Sequence, residues 1–156
     1  MKFVLVTCNS TTEKWSELAS DLYQNKISHL VPFEIKNLKL KKNSRGQSHE
    51  KVKADSAEIQ SEIQPGDYVV LFDETGSEFD SVQYSKKIQQ IQNLGKKRAL
   101  FVIGGAFGVT PELKARADLK VCLSKMVMNH LVAETVALEQ LYRALTILKN
   151  LPYHNS

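Results

Sequence analysis

Two cysteines, Cys8 and Cys122, are too few for a disulfide scaffold, and both sit in apolar strand-like surroundings that suit reduced core thiols. The four histidines, His29, His49, His130 and His154, show no metal-ligand spacing, so no metal is expected. No apolar run approaches the ~20 residues that span a bilayer, and the stretch Phe3 to Val6 is too short for the core of a secretory signal. A membrane role is not expected, and a cytoplasmic location is. Two nucleotide motifs are missing as well: the Gly-Lys-Ser/Thr of a phosphate loop and the GxGxxG dinucleotide fingerprint. There is no internal repeat and no low-complexity tract. Aromatic residues are absent where positive charge is densest. Lys36, Lys39, Lys41, Lys42, Arg45, Lys51 and Lys53 are opposed only by Glu50, in a chain whose 21 Lys and Arg against 17 Asp and Glu give +4. That local excess suits either phosphate contact or a solvated loop.

What is present is apolar patterning. With 42% hydrophobic residues in 156, the chain can bury one real core and is read as one domain, residues 1–156. The stretch Ala99 to Pro111, ALFVIGGAFGVTP, organises it. Ala99 to Ile103 is a β-branched and aromatic run of the length of a strand covered on both faces. Gly104 and Gly105 follow, removing side chains where the backbone turns, so that its amides can approach a ligand. Gly108 relaxes the turn, Thr110 can cap a helix, and Pro111 suits its first position. Strand, glycine loop and helix commonly line the crevice beyond the carboxyl ends of an open α/β sheet. The same glycines also suit a plain tight connection.

Along the chain, Lys2 to Cys8 reads as a buried first strand, followed by a helix opened by Ser10 and Glu13 and carrying Trp15, Leu18, Ala19, Leu22 and Tyr23. Val31 to Leu40 suits an edge strand, and Lys41 to Ser48 a mobile loop. A helix with a thin stripe of Val52, Ala57, Ile59 and Ile63 ends at Pro65-Gly66. Tyr68 to Phe72 is a strand running into a loop, Asp73 to Gly76. Ser81 caps a helix carrying Val82, Ile88 and Ile91, and Lys96, Lys97 and Arg98 follow its C-terminus as favourable charges. After the glycine loop come a short helix, a strand from Leu119 to Leu123, and the longest helix, from Leu131 to about Asn150, stopped by Pro152. The alternation predicts a three-layer α/β sandwich on a mainly parallel sheet, unknotted because threading is nearly absent from folds.

The ordered set VVLFDETG, FVIGGAFGV, LSKM with a following His130, LEQLYRA and a terminal PYH resembles the RlmH family of SPOUT RNA methyltransferases, over essentially the whole chain. The resemblance implies a trefoil α/β knot through which the C-terminal helix threads. It also implies a homodimer that uses S-adenosylmethionine to methylate ring N3 of a pseudouridine in ribosomal RNA of the large ribosomal subunit. By position, cofactor contacts fall on Phe72, Gly104 with Gly105, and Leu123, Ser124, Lys125, Met126, Val127 and Met128. Leu123, Met126 and Met128 can sandwich an adenine or simply fill a core. The catalytic candidates are His154, Tyr153 and Arg143. Histidine is the side-chain type that moves a proton near neutrality, tyrosine stacks on a base, and Arg143 can meet phosphate or pair with Glu139.

The chain departs from the family pattern at Glu134, where an arginine is usual and a carboxylate would repel phosphate. Phe72 replaces a leucine, Ser77 a common lysine, and no basic residue follows His154. These changes bear on RNA binding more than on the cofactor pocket. They leave a second reading, an RNA-binding or ribosome-associated member with altered catalysis, and a third, a monomeric flavodoxin-like nucleotide-binding domain.

Overall fold

β1 (Lys2–Thr7) and β4 (Arg98–Ile103) run side by side through the middle of a parallel sheet. Phe3 and Leu5 of β1 and Phe101 and Ile103 of β4 enter one core, while Val4, Val6, Leu100 and Val102 enter another on the opposite face. With no solvent-facing side there is no polar phase, which is why both strands read as continuous apolar runs. The structure, a computed structural model, describes residues 1–39 and 48–155. The loop expected over Lys41 to Ser48 lies outside the described residues except for Ser48.

β3 (Tyr68–Glu78) pairs with β4, β2 (Phe33–Asn37) forms the edge beside β1, and β5 (Leu119–Cys122) the edge beside β3. The order is β2-β1-β4-β3-β5, with every pair parallel. α1 (Lys14–Ser28), α3 (Ser81–Gln92) and α5 (His130–Leu148) cover the face centred on Phe3 and Phe101, whose rings meet edge-on at 5.1 Å. α2 (Ser48–Glu62) and α4 (Pro111–Arg116) cover the other through Ile59 and Leu113. The three-layer sandwich is as expected. The flavodoxin-like reading is not, since that fold keeps its third and fourth strands in sequence order. Here the chain leaves β4, passes β3 to reach the edge at β5, and crosses to the opposite face as α5.

Several local expectations are corrected. Asp73 to Gly76 is not a loop beyond the strand: β3 continues to Glu78, with Phe72 and Ser77 both registered on Val121 and the residues between bulged out. Gly76 permits this, because a Cβ there would lie 2.6 Å from the Val121 amide nitrogen. α1 is capped by Glu13 with Ser16, not by Ser10. Of the α1 residues assigned to the core, Tyr23 packs against it, but Trp15, Leu18 and Leu22 point outward, respectively 45%, 61% and 51% exposed, and Ser16 and Ile27 are buried. On α2 the buried residues are Asp55, Ser56 and Ile59, and Ala57 is exposed. Asp80, not Ser81, caps α3, and Val82 is exposed. α5 ends at Leu148, before Asn150 in the left-handed region and ahead of Pro152. Lys36 of the basic run pairs with Glu62 at 2.8 Å.

Arg98 is no bystander after a helix. It opens β4 and holds the buried Asp67 at 2.6 Å while donating to the Glu62 carbonyl at 2.9 Å, which ties the end of α2 to the sheet. Burial alone would raise the Asp67 carboxyl, but hydrogen bonds from Arg98 and the Gln64 amide and the charges of Arg98 and Arg116 hold it below its ordinary value of 3.8. A carboxyl lowered by folding stabilises the fold above its unfolded value and loses that contribution as pH falls through the folded one. Asp67→Asn is expected to cost about 3 kcal/mol at neutral pH, because it leaves Arg98 without its counter-charge. Urea unfolding against pH checks this: the gap between parent and variant closes on acidification below the ordinary carboxyl value.

Candidate active site

A parallel sheet delivers all its carboxyl ends to one edge. Phe72 stands level with Ile103 of β4 and with Val121 of β5, so the segments that leave these three strands emerge side by side. Between them opens a cavity of about 620 Å³, walled by the bulge of β3, the glycine loop, the segment after β5 and the first turn of α5. Phe72, Gly104, Gly105, Leu123, Ser124, Met126, Val127 and Met128 all line it. Lys125, grouped with them from the sequence, does not. Its side chain turns out to Glu78 at 3.1 Å from the bent segment that follows β5. Leu123 and Met128 are half-buried, whereas Met126 and Val127 stand at the rim, 78% and 90% exposed.

The glycines are fixed by the protein's own packing. A Cβ on Gly104 would lie 2.6 Å from Val109 Cγ1, and one on Gly105 would collide with the Asp55 carboxylate. α2 thus forms the floor under the loop: Asp55 abuts Gly105, and Ser56 Oγ accepts the Thr110 amide at 2.9 Å. Burial holds the Asp55 carboxyl above its ordinary range, with Lys51 only partly offsetting it. The Cys8 thiol is pushed up to about 12 by burial and by the charges of Asp55 and Glu58, as suits a core thiol. The turn itself closes through Gly108 N to Gly105 O at 3.0 Å, with Gly108 at φ +83° and Phe107 on its tip, 59% exposed.

Sequence reading missed other members of the cavity. Asp73 accepts the Thr75 amide and pairs with Lys114 of α4 at 2.8 Å. Burial pushes its carboxyl up, but Lys114 and Thr75 outweigh that and hold it low, so it stays an anion beside the cavity. His130, quoted only as a motif position, lines the cavity with a buried Nε2 that has no hydrogen-bond partner among the described residues. Loop backbone beside the apolar Ile103, Leu123 and Met128 fits a ligand with polar and apolar parts. S-adenosylmethionine is such a ligand.

The catalytic candidates are elsewhere. Arg143 donates to Glu139 Oε1 from Nη2 at 2.6 Å and meets His154 Nδ1 at 3.3 Å, and Tyr153 donates its hydroxyl to the same Glu139 oxygen at 3.1 Å. The Tyr153 ring stands edge-on to Tyr142 at 4.8 Å, with Lys26 packed over both. The tail is therefore docked, and Arg143 takes the helical pairing, not a free phosphate-facing pose. Burial and hydrogen bonding to Tyr23 and Glu139 keep the Tyr153 phenol protonated. Helical rise places Arg143 about 20 Å from His130, so tail and cavity occupy different ends of α5. Glu134 is also not where the sequence put it. It is buried, accepting Asn9 Nδ2 at 2.5 Å and Ser20 Oγ at 2.9 Å, and presents no charge to an RNA surface.

Gly105→Ala is expected to cost about 1–3 kcal/mol of stability, and Asp55→Ala in the same chain to recover part of it by clearing the collision. Scanning calorimetry on the single and double variants measures that coupling.

The family model described as "Predicted SPOUT methyltransferase" matches residues 1–154. Proteins named "Ribosomal RNA large subunit methyltransferase H" are similar along their length. That of Bdellovibrio bacteriovorus is 53% identical over 155 residues, that of Christiangramia forsetii 40% over 156, and that of Parabacteroides distasonis 37% over 156, each alignment covering 99% of both chains. Sequence kinship of this extent, joined to a parallel sheet whose three neighbouring loops enclose the cavity, means that the chain belongs to the SPOUT methyltransferase family, within its RlmH branch.

Proposed function

We propose that this protein is a cytoplasmic, single-domain, S-adenosylmethionine-dependent enzyme that methylates ring N3 of a pseudouridine in large-subunit ribosomal RNA. In this reading it works as a homodimer on the large subunit or the assembled ribosome, and α5 threads a trefoil knot. The observation that carries the reading is the cavity built by the exits of β3, β4 and β5 against the first turn of α5, in a chain whose relatives are named as large-subunit ribosomal RNA methyltransferases. Gly104 and Gly105 offer backbone, and Leu123 and Met128 apolar contact. S-adenosylmethionine supplies an electrophilic methyl group whose bonding pair returns to sulfur when the base nitrogen takes the carbon. The protein holds the two partners in line, worth ~7–11 kcal/mol, more than the 10²–10⁴-fold that a general base typically adds. His154 receives the proton that N3 must lose, while Arg143 and the protonated Tyr153 orient it.

The 19 residues of α5 span about 28 Å, too far for the tail to reach the cavity of its own chain. A two-fold axis across α1 and α5 reverses these helices in the second copy, so that each tail meets its partner's cavity. Trp15, Leu18 and Leu22 give that interface an apolar surface. Glu134, the departure that favoured loss of turnover, is occupied internally by Asn9 and Ser20 and supports no second reading.

Two outcomes are expected. His154→Ala lowers the single-turnover rate about 10²-fold or more, with S-adenosylhomocysteine affinity unchanged in calorimetry. Heterodimers of His154→Ala with Gly105→Ala regain activity that neither homodimer has, since one of their two sites then draws both intact parts from different chains. Mass spectrometry of ribosomal RNA reads the methyl group in each case, and a heterodimer as inactive as its parents overturns the shared site.

A further inference from the structure

The mouth of the cavity carries an aromatic ring that the fold does not use. Phe107 occupies the tip of the Gly105–Gly108 turn, 59% exposed, and belongs to neither core cluster. The Lys51 ammonium stands over the ring, 5.7 Å from its centroid. The basic run of the sequence thus acquires, from a segment more than fifty positions away, the aromatic partner it lacks locally. Met126 and Val127 form the facing rim. A ring with a cation beside it, at the entrance to a methyl-donor cavity, matches an unstacked nucleotide: the base offers a π-face and its phosphate a negative charge.

We propose that Phe107, with Lys51, is the platform on which the RNA strand stacks a base and seats a phosphate as the target nucleotide enters the cavity. The proposal rests on the RNA-methylating reading above and adds a substrate-positioning residue to it. It separates the tasks of the glycine loop: the backbone of Gly104 and Gly105 faces the donor, and the tip of the turn faces the nucleic acid. Stacking tolerates any base, so the platform supplies affinity and orientation, and the identity of the methylated base is read elsewhere.

The test uses the full-length protein with ribosomal RNA from cells lacking this methylation, supplied as free RNA and as assembled subunits. Phe107→Ala is expected to raise KM for RNA about tenfold, the loss of one stacked base, with a smaller change in kcat and no change in S-adenosylhomocysteine affinity. Phe107→Trp keeps KM near the parent value. Lys51→Ala raises KM and makes it less sensitive to salt, as loss of a phosphate contact does. An unchanged KM in Phe107→Ala overturns the proposal, as does a tryptophan variant as poor as alanine. So does weaker S-adenosylhomocysteine binding with RNA affinity intact, which would put the ring against the donor. A parent protein that methylates normally while Phe107→Ala is indifferent removes only this proposal, whereas a parent that binds no S-adenosylhomocysteine removes the enzymatic reading and the platform with it.

Discussion

The in-phase parallel pairing of β3, β4 and β5 is the constraint on which everything else here depends. Because Phe72, Ile103 and Val121 stand level, the three segments beyond them start from one line and converge over one space. A shift of one residue would turn each strand's apolar set to the wrong core, so the register is held by packing on both faces at once. The cavity follows from that alignment, and its exact walls follow from what sits behind each loop: Val109 behind Gly104, the Asp55 carboxylate behind Gly105, the β5 backbone behind Gly76.

Those contacts recast the glycines. From the sequence, bare positions after a strand suggest room for a ligand. In the fold, the side of Gly104 and Gly105 that a Cβ would occupy is filled by protein, so the residues are small because the loop is pressed onto α2 and its own return limb. The two views agree on where the cavity is and differ on why the glycines are there. A loop clamped from behind is pre-organised in front, which is the condition for a donor to be held in line without ordering the backbone at the time of binding.

The sheet was legible because strands buried on both faces carry the strongest apolar signal a sequence can have, as Lys2 to Thr7 and Ala99 to Ile103 do. The family motifs located most of the cavity for the same reason: it lies where those strands end. Legibility failed where the deciding partner is remote in sequence. β3 runs past Phe72 only because Gly76 can lie against Val121. Lys125 stands outside the cavity, beside Glu78 of the remote β3. Trp15, Leu18 and Leu22 trace a fine amphipathic stripe, yet α1 packs inward through another side, where Tyr23 and Ile27 join the core and Ser20 bonds Glu134. An apolar stripe states that a face is to be covered and does not say by which chain.

Glu134 shows how one such remote contact changes a functional conclusion. In a list of motif positions it is a charge reversal facing phosphate. In the structure it lies buried in the second turn of α5, and the Asn9 amide and Ser20 hydroxyl satisfy both its oxygens. The carboxylate thus joins β1's exit, α1 and α5 at a point next to Ala133 and His130 of the cavity wall. It stiffens the end of α5 that walls the cavity, while the other end carries Arg143, Tyr153 and His154. A helix rigid from one functional end to the other cannot fold back to unite them. On the function proposed above, the geometry that orders each half of the site is what calls for a second copy of the chain to bring the halves together.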